Sequence, residues 1–402
     1  MISPVPQDTQ PNSLRAPKLR FSEFSSCWKN DSLVEIAVGG FSNGVFNDPK
    51  KVGSGYRLIN VKDMYLSDTI NPKTLELIAI SKEEFLKNKS NFGDIFFTRS
   101  SLVKEGIAHS NVLLENLSDI TYDGHLIKMS VDHGIFDPFF VHKLLKTDSI
   151  RRQLVARGKT GTMTTIGQDD LSTVKLTYPS LPEQQKIAHF LRAVDARAGL
   201  LLRRQQALAA YKKAMMQGLF ARTLRFTKPD GSTFPDWQEK RLGEIAETIT
   251  GNSNREDSTE EGEYVFFDRS SDVRASSRFL LDGEAIIVAG EGKDFPPRYF
   301  VGRFDLHQRT YATMGFGANS GKFLFYWIGW HRAHFLKHSV GSTMPSLRMG
   351  SFSNFPVSLP HPDEQQKIAQ FITALDTKIE AVAAQIDAMQ RFKQGLLQQM
   401  FV

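Results

Sequence analysis

The sequence has little of what disulfide-bonded, zinc-ribbon, secreted or membrane proteins contain. Cys27 is its only cysteine, which excludes an internal disulfide and a zinc ribbon and fits a reducing cytosol. No apolar run reaches the ~18–20 residues that a membrane-spanning helix needs. Residues 1–16 lack the apolar core of a secretion signal, and their polar composition predicts a disordered N-terminal tail. These absences together predict a cytoplasmic protein.

Recognisable catalytic motifs are missing as well. Gly292-Lys293 is followed by an aspartate rather than by Ser or Thr, so this segment is not a Walker A motif. Three histidines have a spacing that places them on one helix face, but no acidic helper lies nearby in the sequence. They are His331, His334 and His338. We therefore predict no catalytic residue, no metal site and no cofactor in this chain.

The chain is long and carries an excess of positive charge. A length of 402 residues suggests two or more domains, because a single core rarely grows so large. The formal net charge is +6 at pH 7. Such a charge permits a polyanionic partner such as nucleic acid, although charge alone does not establish one.

The most informative feature is an internal repeat. EQQKIAHFLRAVD at 183–195 returns as EQQKIAQFITALD at 364–376, and 13 of 38 positions are identical between 183–220 and 364–401. Each copy is preceded by a segment that runs from Leu-Arg-Phe through Trp to Leu-x-Glu-Ile-Ala. Such duplication predicts two copies of one structural plan. The predicted boundaries are a tail at 1–16, a globular part at 17–179, a helix at 180–221, a second globular part at 222–360 and a second helix at 361–402.

Both repeated segments carry a heptad pattern. Apolar residues recur in steps of four and three over more than four heptads, which is typical of a coiled coil. The chain order makes an antiparallel pair the simplest arrangement, with an approximate two-fold relation between the copies. The predicted seam residues are Ile187, Leu191, Val194, Leu201, Leu208, Ile368, Ile372, Leu375, Ile379 and Ile386. Gln205, Lys212 and Lys393 interrupt the seam, and they either fix its register or extend towards solvent.

The two globular parts are predicted to be α+β. GDIFFTRSS (93–101) and GEAIIVAGEG (283–292) share a turn glycine, an acid and a short apolar run, which predicts a buried strand followed by a loop. Further on, each copy has a helical segment that ends in a Gly/Ser/Thr loop. Basic and hydroxyl side chains in such loops suit contacts to phosphates and base edges, and a solvated basic face is the alternative. The candidate DNA-binding residues are Arg99, Lys104, Lys159, Thr160, Thr162, Lys293, Arg298, Ser342, Thr343 and Arg348.

The duplicated Glu-Gln-Gln-Lys-Ile-Ala element, with a variable part before each copy, resembles the specificity subunit of bacterial type I restriction–modification systems. The resemblance covers the chain after about Lys18. It implies that the globular parts are target recognition domains, each for one half of a split DNA sequence, and that the helices set the spacing between the halves. The implied partners are double-stranded DNA, two DNA adenine methyltransferase (modification) subunits and restriction motor–nuclease subunits. S-adenosylmethionine, ATP and Mg are expected in those partners and not in this chain.

Glutamines repeated outside the seam predict where the modification subunits dock, because solvation alone does not require their repetition. These candidate partner-binding residues are Gln184, Gln185, Gln365 and Gln366. They lie at the start of each helix, so we expect the outer faces of 183–220 and 364–401 to bind the partners.

Two other functions stay open from the sequence. One is a single-chain DNA methyltransferase or nuclease with a divergent site, which would be active on DNA without partners. The other is a coiled-coil scaffold whose globular ends bind proteins. Such a scaffold would lack the salt-dependent DNA binding that phosphate contacts produce.

Overall fold

The structure is a computed structural model that describes residues 2–4, 16–270, 272–341 and 343–402. The chain divides into two compact units. Unit 1 comprises Met1–Leu201 and Gln385–Val402, and unit 2 comprises Leu202–Ala384. Unit 1 therefore takes its last segment from the far end of the chain.

Unit 1 contains an α+β domain. Its strands are β1 (Ile2–Pro4), β2 (Leu19–Phe21), β3 (Lys29–Ser32), β4 (Ala37–Asn43), β5 (Val52–Ile59), β6 (Glu76–Ile78), β7 (Ile95–Thr98), β8 (Ser100–Ser101), β9 (Ser110–Val112), β10 (Ile120–Tyr122), β11 (Leu126–Val131), β12 (Lys159–Thr160), β13 (Thr164–Thr165) and β14 (Lys175–Tyr178). Its helices are α1 (Leu33–Ile36), α2 (Lys82–Lys87), α3 (Pro138–Leu145), α4 (Asp148–Arg157), α5 (Gln168–Ser172), the first half of α6 (Leu181–Phe220) and the C-terminal part of α10 (Pro362–Gln399). β4, β11, β7 and β9 form an antiparallel sheet in that order. β7 is buried along its whole length, which is the environment predicted for GDIFFTRSS.

The main hydrophobic core of unit 1 joins this sheet to helices from both ends of the chain. Ile95 and Phe97 of β7 belong to the same core as Phe140 of α3, Leu191 of α6 and Phe401. Burying an aliphatic or aromatic side chain of this size contributes roughly 1.5–3 kcal/mol. The C-terminal segment is therefore part of the fold of unit 1 rather than an appendage.

Unit 2 repeats the plan with different strand lengths. Its strands are β15 (Gln238–Arg241), β16 (Glu247–Thr250), β17 (Tyr264–Phe267), β18 (Arg274–Ser276), β19 (Leu281–Ala289), β20 (Arg298–Leu306), β21 (Thr310–Met314) and β22 (Pro356–Leu359). Its helices are the second half of α6, α7 (Gly321–Trp330), α8 (Ala333–Lys337), α9 (Met349–Ser353) and the first half of α10 (Pro362–Gln399). The main sheet has the order β16-β21-β19-β20-β17-β18. β19 contains most of the predicted strand GEAIIVAGEG and occupies the place that β7 has in unit 1.

The long helices α6 and α10 run antiparallel within each unit. In unit 1 Lys393 lies 2.5 Å from Asp195, and in unit 2 Lys212 donates to Asp376. The two pairs are equivalent in the repeat, because Lys393 and Asp376 lie 181 positions after Lys212 and Asp195. Both lysines interrupt the apolar seam. Pairing across the helices favours the register role for Lys212 and Lys393 over extension to solvent. In the part of the chain that the structure describes, neither these helices nor any other is apolar enough to cross a membrane.

The predicted seam residues lie in the interior. Eight of the ten are buried: Ile187, Leu191, Val194, Leu201, Ile368, Ile372, Leu375 and Ile386. Leu208 and Ile379 are half-buried. The stripe that the heptad pattern predicts is therefore the stripe that the fold covers.

A buried ion pair explains why Leu-Arg-Phe and Glu-Gln-Gln are both repeated. Arg20 donates to both carboxylate oxygens of Glu183, each at 2.7 Å. Arg225 makes the same two bonds to Glu364 at 3.1 and 2.8 Å. Both carboxylates are fully buried. In each copy the arginine therefore ties the first turn of the long helix to the start of its globular part.

Unit 1 also holds a cluster of buried charged side chains beside α3. Lys143 is fully buried and donates to Asp195 at 2.9 Å and to Asp68. The Nε2 atom of His142 lies 3.7 Å from a carboxylate oxygen of Asp68. Burial alone would raise the pKa of Asp68, but His142, Lys143 and Lys146 together lower that pKa well below its usual value. Burial lowers the pKa of His142 to about 4.

The lowered pKa of His142 predicts that unit 1 is sensitive to acid. His142 stays neutral in the folded chain but takes up a proton below pH ~6.5 when unfolded, so acid favours the unfolded chain. Above pH ~6.5 His142 is neutral in both states and does not reduce the free energy of unfolding. Below that pH the free energy of unfolding declines, and at pH 4 it is about 3 kcal/mol lower than at neutral pH. Urea unfolding of His142→Leu between pH 7 and 4 should show a shallower decline. An equally steep decline in the variant would assign the effect to another group.

The N-terminus differs from the prediction in one respect. Ile2–Pro4 form β1 and pair antiparallel with β2, so a disordered tail over 1–16 is wrong for these three residues. Strand pairing depends on a backbone edge supplied by β2. Composition does not reveal such an edge, because the partner strand is recognised by backbone groups rather than by side chains.

Candidate nucleic-acid interface

Three segments of unit 1 meet beyond the end of β7, and together we name them loop cluster 1: residues 99–101, 123–125 and 158–166. Within it β12 pairs with β13, and β13 pairs with β8. The backbone N–H of Arg99 donates to the carbonyl of His125 at 3.1 Å, and that of Ile166 donates to the carbonyl of Arg99 at 2.9 Å. The fold therefore brings the polar loop after β7 next to the Gly/Thr hairpin that was predicted separately.

Loop cluster 2 is the corresponding group in unit 2: residues 290–292, 307–309, 339–341 and 343–347. The backbone N–H of Gly290 donates to the carbonyl of Arg309 at 2.8 Å, and that of Leu347 donates to the carbonyl of Gly290 at 2.7 Å. Ser346 forms a β-bridge with Glu291, and Thr165 pairs with Ser100 in the same way in loop cluster 1. The two clusters thus have the same backbone connections.

Next to each cluster, a glycine allows two backbone segments to lie very close together. A Cβ atom at Gly44 would lie 1.9 Å from the carbonyl oxygen of Tyr122, and one at Gly251 would lie 1.6 Å from that of Leu306. Both distances are far below van der Waals contact, so a side chain there would displace the backbone. The turns 123–125 and 307–309 directly follow these carbonyls, and their positions therefore depend on the two glycines.

Most candidate DNA-binding residues of unit 1 lie in loop cluster 1. Arg99, Thr160 and Thr162 are exposed there, and Arg99 donates to the carbonyl of Gly124 at 3.2 Å. Lys159 is exposed as well and forms an ion pair with Asp170 at 2.9 Å. Lys104 is exposed outside the cluster, where it lines a cleft of about 620 Å³ with Arg151 and Arg152 of α4.

The candidates of unit 2 are more dispersed. Thr343 is exposed within loop cluster 2, and Lys293 and Arg348 are exposed immediately beside it. Ser342 lies outside the residues that the structure describes. Arg298 is half-buried, donates to the carbonyl of Ser270 and lies 5.9 Å from the centre of the Phe267 ring. Its guanidinium therefore points partly into the unit.

The sequence reasoning missed further arginines beside loop cluster 2. A cavity of about 320 Å³ is lined by Arg255, Arg269, Glu291, His307 and Met344, among others. These residues come from separate strands and loops, so no local motif marks them. One signal could have drawn attention to them. After the shared apolar run, GDIFFTRSS carries an arginine, whereas GEAIIVAGEG carries a glutamate.

The acidic and histidine groups of this cavity have perturbed pKa values. A hydrogen bond from Arg269 lowers the pKa of Glu291, and Arg309 adds to this effect against the opposing influence of burial. Burial lowers the pKa of His307, with help from the nearby charge of Arg269. At neutral pH Glu291 is therefore an ionised carboxylate between the guanidinium groups of Arg269 and Arg309, and the imidazole of His307 is neutral.

The repeated glutamines have two different environments. Gln184 and Gln365 are buried, and each accepts a hydrogen bond from the backbone N–H of a helix-capping residue, at 3.1 Å from Asp137 and 2.9 Å from Ser320. Each also donates to the carbonyl of the proline five residues before it. This burial contradicts the prediction that Gln184 and Gln365 contact a partner, because internal bonds already satisfy them. Gln185 and Gln366 are exposed.

No metal site emerges from the described ranges. They contain no group of three or more His, Cys, Asp or Glu side chains arranged to hold a metal ion. Two of the three spaced histidines instead bond to local backbone, His331 to the carbonyl of Trp327 at 3.0 Å and His338 to that of His334 at 2.9 Å.

A family model matches both halves of the chain. The model of the type I restriction modification DNA specificity domain matches residues 119–209 and 235–390. One match falls in each copy of the repeat, and together they cover more than half of the chain.

Curated relatives carry related descriptions. The type I restriction enzyme EcoDI specificity subunit of Escherichia coli is 28% identical over 166 residues, which are 40% of this chain and 37% of that protein. The type I restriction enzyme MjaVIII specificity subunit of Methanocaldococcus jannaschii is 22% identical over 382 residues, which are 83% of this chain and 82% of that protein. The first match is thus confined to about a third of the E. coli protein, whereas the second spans most of both chains.

A solved structure shares the fold. The S subunit of the type I restriction–modification system from M. genitalium aligns with a TM-score of 0.61 at 15% identity, covering 96% of this chain and 99% of that one. The α+β domains and the paired long helices therefore belong to a known architecture. Specificity subunits are non-catalytic, which agrees with the prediction that this chain is not itself an enzyme. The chain belongs to the type I restriction modification DNA specificity domain family and is a specificity subunit, which confirms the resemblance predicted from its repeat.

Proposed function

We propose that this specificity subunit recognises a bipartite double-stranded DNA sequence, with loop cluster 1 contacting one half-site and loop cluster 2 the other. The observation that supports this proposal is that the two clusters share backbone connections but differ in their exposed side chains. Protein side chains that contact base edges distinguish DNA sequences, whereas contacts to the phosphates and sugars of the DNA only position the protein. A repeated scaffold with different side chains suits two unlike half-sites. Lys104, Lys293, Arg298 and Arg348 are proposed as flanking DNA contacts.

The partners proposed for the chain are two DNA adenine methyltransferase (modification) subunits and restriction motor–nuclease subunits. The modification subunits would use S-adenosylmethionine, and the motor–nuclease subunits would use ATP and Mg. The repeated helices support two copies of one partner, because a duplicated surface offers the same contacts twice. We propose that α6 and α10 also set the spacing between the half-sites, and that the complex acts on DNA in the cytoplasm.

The experiment that tests this function is co-expression with the cognate modification subunit, followed by sequencing of methylated adenines. We expect methylation within two defined half-sequences separated by a gap of fixed length and free composition. Methylation of a continuous motif would contradict the proposal. Methyl transfer to DNA by the purified chain alone would instead favour the single-chain enzyme.

Replacing Gln185 and Gln366 together by glutamate should weaken binding of the modification subunit. Both side chains are exposed at the same place in the repeat, and a carboxylate removes their N–H donors and adds charge at the contact. Co-purification measures the effect. The matched control is Gln206→Glu with Gln390→Glu, which makes the same chemical change at two exposed helix positions whose glutamines the repeat does not share. Equal complex formation by both double variants would reject this docking surface.

A further inference from the structure

Loop cluster 2 and the neighbouring residue Arg269 hold two arginines on one carboxylate. Arg269 donates to one oxygen of Glu291 at 2.5 Å, and Arg309 donates to the other. The Glu291 side chain is 16% exposed, whereas those of Arg269 and Arg309 are 46% and 61% exposed. Neither guanidinium has another hydrogen-bond partner among the described residues. The shielded carboxylate therefore fixes two guanidinium groups whose remaining N–H donors are available at the surface.

This trio has no chemical equivalent at the matching positions of unit 1. The backbone bond from His307 to Phe267 corresponds to the bond from Asp123 to Ile59, both at 3.0 Å, and this correspondence aligns the two clusters. The counterparts of Arg269, Glu291 and Arg309 are then Val61, Ser100 and His125. A feature present in both copies would be expected where two identical partner subunits bind. A feature found in one copy suits the half-site that this copy contacts.

The chemistry of the trio favours a base edge over a phosphate. Phosphate binding is strongest where positive charge is uncompensated, but here Glu291 offsets half of the charge of the two arginines and would repel a nearby phosphate. The edge of guanine in the major groove is neutral and offers the O6 and N7 acceptors, which match the parallel N–H donors of one guanidinium. An arginine already held in place loses less conformational entropy when it binds.

We propose that Arg269 and Arg309 read guanine in the half-site recognised by unit 2, and that Glu291 is the positioning residue that holds both guanidinium groups. The proposal rests on the proposed function of loop cluster 2. It requires at least one invariant G·C pair in that half-site.

The test uses the full chain in complex with its modification subunit and follows adenine methylation across a library of sites. Arg309→Ala should reduce discrimination at one G·C position by roughly 5- to 150-fold, while the other half-site keeps its sequence. Arg309→Lys should relax the same position, because lysine keeps the charge but not the bidentate geometry. Glu291→Gln should also relax it, through loss of the charge that holds the arginines. Arg303→Ala is the matched control, since Arg303 pairs with Asp282 near the opposite end of β19 and should leave the preference unchanged.

Three outcomes would overturn the proposal. One is a wild-type target with no invariant G·C pair in the half-site that unit 2 recognises. A second is a uniform loss of methylation at all sequences that Arg309→Lys rescues, with a salt slope reduced by about one, which would make Arg309 a phosphate contact. The third is an unaltered base preference in all three cluster variants. A wild-type complex that methylates no bipartite site would refute the proposed function itself, which distinguishes the two failures.

Discussion

Removing the Glu183 carboxylate should lower the free energy of unfolding of unit 1 by about 3–5 kcal/mol. Glu183 is fully buried, and the Arg20 side chain that donates to both of its oxygens is 8% exposed. In Glu183→Ala the guanidinium keeps its charge and its bond to the carbonyl of Ser26 but loses its counter-ion. An unpaired charge in the interior costs far more than the pair contributes when intact. The pair also anchors the first turn of α6, so hydrogen exchange should increase there first.

Two comparisons separate this effect from ordinary loss of a charge. Asp282→Ala breaks an exposed ion pair with Arg303 and should cost far less stability than loss of the buried carboxylate, because solvent screens exposed pairs. Combining Arg20→Met with Glu183→Leu should recover most of the loss, because an apolar pair leaves no uncompensated charge. Urea unfolding followed by circular dichroism measures the three variants. Equal stability of Glu183→Ala and Asp282→Ala would show that the buried pair does not hold the helix to its domain.

Much of the fold was predictable because its signals are local or periodic. The heptad pattern gave the covered stripe of α6 and α10, and the short apolar runs gave β7 and most of β19. Chain order gave the antiparallel direction seen within each unit. The division of the chain was harder to predict, because Gln385–Val402 belongs to unit 1 through packing rather than through any boundary signal in the sequence.

The candidate site was predictable only in part, for physical reasons that particular residues illustrate. Thr160 and Thr343 could be predicted as candidates because a Gly/Ser/Thr loop is a local pattern. Arg269 and Arg309 were missed because they meet Glu291 only after three separate strands come together. The repetition of Gln184 predicts a contact with a partner, because solvation alone does not require it. The repetition instead reflects an internal bond, which both copies of the fold need.

A fragment comprising residues 1–221 should form a homodimer, and together with modification subunits it should methylate an interrupted palindrome built from the half-site of unit 1 and its inverse. The chain's own asymmetric target should no longer be modified. The fragment lacks 385–402, which supplies Leu396, Met400 and Phe401 to the core of unit 1. Residues 204–221 of a second copy are the repeat equivalents of that segment and can fill the same place.

The polar seam residues decide how well this replacement works. In the full chain Asp195 lies 2.5 Å from Lys393, and the repeat places Lys212 where Lys393 stands. Lys212 of one copy can therefore pair with Asp195 of the other, so this lysine supports the homodimer. Gln205 remains a polar residue in the seam, and its partial burial should make the homodimer weaker than the native pairing.

Sedimentation of the fragment with and without the modification subunit, followed by sequencing of methylated adenines, tests both parts of this prediction. Lys212→Asp should abolish dimerisation, because it places a carboxylate against Asp195. Lys213→Asp makes the same change at an exposed neighbouring position and should leave the dimer intact, which controls for net charge. A fragment that stays monomeric beside its partners would reject the repeat as the basis of helix pairing. Methylation that persists at the original asymmetric site would show that one copy of the globular part does not specify its half-site independently.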